Sequence, residues 1–162
     1  MARLQARYAL PLCAGIFTLL LFVQPVAARN LPAGGLSRQD VAAWLIGHGL
    51  RATIHNDDNG RSIVSSNVSG VNFDVYFYGC EGERCASIQY AGGWTPLTKG
   101  TRENINDWNR QKRYIRAYLD SKNNVWGEYD VDISPGGTWE QLDKSLTQWT
   151  ARIADFKAWV GG

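Results

Sequence analysis

Two cysteines that close a four-residue turn constrain this chain more than any other feature. Cys80 and Cys85 enclose Glu81-Gly82-Glu83-Arg84. The segment before them alternates, with Val71, Phe73, Val75 and Phe77 on one side and Asn72, Asp74, Tyr76 and Tyr78 on the other. If 80 pairs with 85 in an antiparallel hairpin, Phe77 falls opposite Ile88 and Val75 opposite Tyr90. The cysteines and the apolar pattern therefore ask for the same register, and a one-residue slip would turn every apolar side chain outward. On strict alternation the disulfide is expected on the opposite face, with Tyr76, Tyr78, Ser87 and Gln89. The spacing is not Cys-x-x-Cys and nothing marks either thiol as activated, so the pair reads as a structural staple rather than a redox or metal centre.

A disulfide needs an oxidising compartment, and the N-terminus points to one. Arg3 and Arg7 precede an apolar run from Ala9 to Val23, and Val26 and Ala28 satisfy the small-residue rule for a cut after Ala28. Residues 1–28 are therefore expected to be a cleaved signal peptide. The run is about 15 residues, shorter than the roughly 20 a spanning helix needs, and Pro11 and Gly15 interrupt it. No stable membrane insertion is expected after cleavage, and the mature protein is expected to be periplasmic or secreted. The chain carries 17 basic and 15 acidic residues, and the only two charges of the leader are Arg3 and Arg7. The mature part is thus electrically balanced and lacks the basic footprint of a nucleic-acid binder.

Residues 29–36 read as a flexible lead-in before a single domain over 37–162. Ser37 with Asp40 forms an N-cap signature for a first helix through Val41, Trp44 and Leu45. Turns at Asp57-Asp58-Asn59-Gly60 and Ser69-Gly70 separate short strands. A second helix is expected from Thr101 through Ile105 and Trp108. A second hairpin follows, Tyr114–Asp120 with Val125–Ser134. A three-residue loop at Lys122-Asn123-Asn124 would place Arg116 opposite Asp130, Tyr118 opposite Glu128 and Tyr114 opposite Asp132. Thr138 with Gln141 caps a last helix whose seam is Trp139, Leu142, Leu146, Trp149, Ile153, Phe156 and Val160, spaced alternately by three and four. The fold class is α+β, one antiparallel sheet with flanking helices in the order α-β-β-β-β-α-β-β-α.

Chemistry is sparse. Glu128, Asp130 and Asp132 share a strand face and read as a solvated patch paired to Arg116. Asp57, Asp58 and Asn59 lack the twelfth-position Glu of a calcium loop. His48 and His55 are the only two histidines, lie outside metal spacing, and cannot be tied to a nucleophile. No catalytic residue, cofactor site or metal site is assigned. Trp94, in the Gly-rich stretch Ala91–Pro96 expected to be a loop, is the residue most suited to binding.

Four blocks carry a family resemblance: Ile105-Asn106-Asp107-Trp108-Asn109, Arg113-Tyr114 to Leu119-Asp120, Asp130-Val131-Asp132-Ile133 with Gly136-Gly137-Thr138, and Trp149 to Phe156. Together, over roughly residues 37–160, the chain resembles the YbjN-domain family, labelled bacterial sensory-transduction regulators. The resemblance implies a fold similar to type III secretion chaperones, no catalytic residues, a protein or peptide partner, and a tendency to homodimerise. It marks Trp108 and Asn109 as structural, with Asn109 bonding backbone near the following strand. The leader and the Cys80–Cys85 staple depart from cytosolic members, so a cytoplasmic regulatory role is not carried over. The expected function is an exported, non-enzymatic protein- or peptide-binding module, with Tyr76, Tyr78, Tyr114 and Tyr118 as an aromatic outer face. Its alternatives are a small-ligand sensor built around Trp94 and a hydrolase with an unrecognised site.

Overall fold

The computed structural model describes residues 28–95 and 100–161; the leader lies, but for Ala28, outside them. The elements run α1 (Arg38–Gly47), β1 (Arg51–Asn56), β2 (Ser62–Val68), β3 (Val71–Glu81), β4 (Arg84–Trp94), α2 (Arg102–Gln111), β5 (Arg116–Leu119), β6 (Val125–Asp132) and α3 (Trp139–Val160). This is the order expected from sequence. The strands form one six-stranded antiparallel sheet, β1-β2-β3-β4-β6-β5.

Capping side chains start each helix. Asp40 N–H donates to Ser37 Oγ at 3.1 Å while Ser37 N–H donates back to Asp40 at 3.0 Å. Thr138 and Gln141 make the same reciprocal pair at 3.2 and 3.1 Å, and Thr101 Oγ1 accepts from Asn104 N–H at 3.2 Å. Each pair satisfies donors that a helix start leaves open.

One continuous core joins all three helices to one face of the sheet. It holds Val41 and Leu45 of α1, Ile105 and Trp108 of α2, and the α3 seam, against Val64, Phe73, Val75, Ile88 and Tyr90. Trp149 is its centre, stacked on Tyr90 at 5.5 Å and edge-on to Phe73 at 5.7 Å. The buried Tyr90 hydroxyl shares a 2.9 Å hydrogen bond with Ser145 Oγ, which donates in turn to Leu142 O at 2.7 Å. Burial pushes the Tyr90 phenol well above its ordinary pKa, against the opposing effect of the Ser145 bond.

The first hairpin has the expected register: Val75↔Tyr90, Phe77↔Ile88 and Cys80↔Cys85, closed by a Cys80–Cys85 disulfide. The face of that disulfide corrects the expectation. Arg38 of α1 lies over the Phe77 ring at 4.8 Å and brings Nη1 to 3.5 Å from Cys85 Sγ and Nη2 to 3.9 Å from Cys80 Sγ. The sulfurs therefore turn toward the helix-bearing side, not outward with Tyr76 and Tyr78. Gly79 is the cause: at φ +60 it breaks the two-residue alternation between Tyr78 and Cys80.

Two other expectations are corrected. Residues 29–36 are not a loose lead-in. Leu31 N–H donates to Gly137 O at 2.8 Å, Trp139 N–H donates to Arg29 O at 2.9 Å, and Leu36 exchanges backbone bonds of 3.2 and 3.0 Å with Cys85. Leu31 and Leu36 are buried, and their apolar burial is what ties the segment down. Between them, Gly35 passes so close to Cys85 O that a Cβ there would sit 1.9 Å from it. The second hairpin pairs Arg116 with Glu128, Ala117 with Gly127, Tyr118 with Trp126 and Leu119 with Val125, two positions from the expected register. The loop is still three residues but begins one earlier, because Asp120 closes it. Asp120 Oδ1 accepts from Lys122 N–H and Asn124 N–H, both at 2.8 Å, and Asn123 takes the left-handed turn at φ +60.

Candidate functional site, an uncovered sheet face

With every helix on one side, the other face of the sheet is uncovered by any described element. Alternation places Tyr76 and Tyr78 of β3, Gln89 of β4, Trp126 and Glu128 of β6, and Tyr118 of β5 on it. They line a shallow depression of about 310 Å³, with Arg61 at its margin.

The polar groups of Tyr78, Gln89, Glu128 and Tyr118 satisfy one another. Glu128, only 8 % exposed, accepts from Arg116 Nη2 at 2.6 Å, Tyr118 Oη at 2.9 Å and Gln89 Nε2 at 3.3 Å. Gln89 also donates to Asp130 at 2.7 Å and accepts from Tyr78 Oη at 3.1 Å. The expected solvated carboxylate patch is thus corrected at Glu128. Two strands meet over this side chain, and its three donors supply what water would have given. The Glu128 hydrogen bond holds the Arg116 guanidinium charged, raising its pKa. Desolvation, then the Glu128 bond, pushes the Tyr118 phenol well above its ordinary pKa, and desolvation raises Tyr76 and Tyr78. These tyrosines stay neutral at physiological pH.

The rings are set by packing. Arg61 lies over Tyr76 at 4.7 Å. Trp126 lies across Gly93, where a Cβ would meet the indole at 2.9 Å, and its Nε1 donates to Asp120 at 3.2 Å. Sequence reading placed Gln89 on this face beside Tyr76 but missed Trp126 and Arg61. The signal was available in Gly93, since a glycine inside a strand marks a close approach by a neighbour.

The other candidate residues lie elsewhere. Trp94 is the last residue of β4, paired with Val125, and not a loop residue. Its indole packs edge-on to Phe156 at 5.3 Å on the helix side, over Gly92, and borders a cavity of about 300 Å³ with Phe73 and Trp126. Tyr114 is not part of the outer aromatic face. It sits before β5 at φ +76, which turns its ring toward the helices, edge-on to Tyr129 at 5.8 Å. Trp108 is buried and donates Nε1 to Ile115 O at 3.0 Å. Asn109 exchanges two bonds with Ala117, Nδ2 to O at 3.0 Å and N–H to Oδ1 at 2.8 Å.

His48 Nε2 lies 2.9 Å from Asp143 Oδ1, which also accepts from Trp44 Nε1 at 2.8 Å. This joins α1 to α3. Among the described residues no hydroxyl or thiol hydrogen-bonds to either histidine, and no group of three or more His, Cys, Asp or Glu side chains could hold a metal ion. The outer face can bind through rings and fixed hydrogen-bonding edges, but Glu128 and the phenols of Tyr78 and Tyr118 are already engaged with neighbours.

No curated protein matches the chain. Solved structures similar to it include the following two. An uncharacterized protein from Methanothermobacter thermautotrophicus is 14% identical, with a TM-score of 0.49 over 76% of this chain and 96% of that one. The Yersinia pestis type III secretion chaperone SycH, in complex with a stable fragment of YscM2, is 13% identical, with a TM-score of 0.45 over 70% of this chain and 92% of that one. The family described as "YbjN: Putative bacterial sensory transduction regulator" matches residues 37–162. A match over that span covers all nine elements, and the chain belongs to the YbjN family.

Proposed function

We propose that this protein is an exported, non-catalytic binding module whose uncovered sheet face receives an extended segment of a protein partner. The observation that carries the reading is the self-satisfied aromatic face. Tyr78 and Tyr118 are 43 % and 36 % exposed, yet the polar atoms around them are already bonded to one another. A partner can cover such rings without stranding buried polar groups. The sheet edges add a direction. Asn109 occupies the outward backbone groups of Ala117 on β5, whereas among the described residues β1 has no strand beyond it. An incoming strand, from a partner or a second copy, would add at β1. The leader and the Cys80–Cys85 disulfide support export, and the family description supports a regulatory role.

The test starts from cells expressing the full chain. Intact mass of the exported protein should lack residues 1–28 and two hydrogens. Proteins retained by the native domain from the same fraction are then compared with those retained by a Tyr76→Ala/Tyr78→Ala variant of unchanged circular dichroism. A partner held by the native protein and lost by the variant supports the reading. A partner held equally by both refutes the face as the binding surface. A small molecule retained in place of a protein would favour the second reading, a sensor using the cavity of about 300 Å³ beside Trp94.

A further inference from the structure

A second cleft, of about 430 Å³, lies between the end of α2 and the middle of α3, away from the open sheet face. Its walls carry Lys112, Arg113 and Arg152 against a single carboxylate, Asp155. Of the other arginines, Arg29, Arg61, Arg84, Arg110 and Arg116 each meet a carboxylate, whereas Arg38, Arg51 and Arg102 have no ion pair among the described residues. Among the described residues Lys112, Arg113 and Arg152 have none either.

They lean on aromatic rings instead. Lys112 Nζ lies 5.8 Å from the Trp108 ring, and the guanidinium groups of Arg113 and Arg152 lie 5.9 and 5.8 Å from the Tyr114 ring. A guanidinium held against a ring keeps its in-plane N–H donors free. Each of the two arginines offers a donor fork of the kind that takes an oxyanion bidentately, and both line the same cleft.

The ring that gathers them is held at a cost. Tyr114 is at φ +76, a conformation that bulky L-residues rarely adopt. Strain of this kind persists where the surroundings over-determine it and collects at ligand clamps. Here the ring is held against Tyr129, and Arg113 and Arg152 of α3 both line the cleft beside it.

We propose that this cleft binds a phosphate group carried by a small soluble molecule. A phosphate's two negative charges match three cations opposed by one carboxylate, and the volume suits a small ligand.

Inorganic phosphate and glycerol phosphate are titrated into the protein produced from the full chain, with sodium chloride at equal ionic strength as the reference. Nitrogen-detected shifts of the Trp108 indole and the Arg113 and Arg152 side chains are followed. The expected result is a saturable response to both phosphates, weakened about tenfold or more in Arg152→Gln, the loss of one charge-assisted pair. Tyr114→Gly accepts the left-handed backbone without strain and so remains folded, yet removes the ring; it should bind at least as poorly. A response no larger than that to chloride overturns the proposal, and so does undiminished binding in either variant. Vesicles containing phosphatidylglycerol form the last arm. Binding to these with no response to the soluble phosphates assigns the cleft to a lipid headgroup and overturns the small-molecule reading.

Discussion

At Asn109 a single amide stands in for a strand. Its two bonds to Ala117 close the part of the β5 edge that would otherwise face a partner. Asn109→Ala leaves a half-buried N–H and C=O without their bonds and should cost about 2 kcal/mol, read as a lower urea midpoint. Asp120 works on a loop in the same way. Partial desolvation pushes its pKa up, but bonds from Asn124, Trp126 and Lys122 outweigh this and hold it down to about 2, against an ordinary 3.8. A depressed carboxylate contributes stability that is present above pH 3.8 and lost as pH falls toward about 2. Asp120→Asn should therefore destabilise the protein at neutral pH and flatten the loss of stability across that acid window, measured as urea midpoints in a pH series. Asn109 thus ties α2 to the backbone of the following strand. The place of Tyr114 was not legible, because composition and alternation assume an extended backbone and carry no sign of a left-handed residue.

The two hairpins show when an element's register can be read. In β3–β4 the cysteine spacing and the apolar alternation are independent demands, and one register meets both. In β5–β6 the parity of the apolar residues admits several registers two apart, and Arg116 finds a carboxylate in either, at Glu128 2.6 Å away or near Asp130 at 3.9 Å. The choice falls to the Asp120 loop and to Gly127, which sits opposite Ala117 beneath α3. A Cβ on Gly127 would lie 2.6 Å from Phe156 Cε1 and 3.0 Å from Ile115 Cγ2. Gly127→Ala should thus overpack the α3–sheet contact and cost about 1–3 kcal/mol, seen as a lower melting temperature. Reducing Cys80–Cys85, which are five residues apart, should cost about 2 kcal/mol by loop entropy. The comparison is urea unfolding with and without reductant.

For the molecule as a whole, the element order, the helix caps and the α3 seam were legible because each rests on local chemistry that repeats at a fixed spacing. The open face was only half legible. Tyr76, Tyr78 and Tyr118 could be placed by alternation and Gln89 by the hairpin register, but Trp126 joins them through strand neighbours far apart in sequence. The N-terminal segment was misread because two leucines in a Gly- and Pro-containing stretch have no periodicity to announce them. Removing residues 29–36 exposes the surfaces that cover Leu31 and Leu36 and should cost several kcal/mol, at about 1.5–3 per buried leucine, measured by chemical denaturation.

That segment also sets an order of events in time. Leu36 closes on Cys85, and Arg29 and Leu31 close on Trp139 and Gly137, so the first part of the domain to leave the ribosome waits for partners made up to 111 residues later. Contacts of such long separation form slowly. The nascent chain therefore stays unfinished until its last third has been synthesised, and the opening stretch of the domain is among the last to be locked.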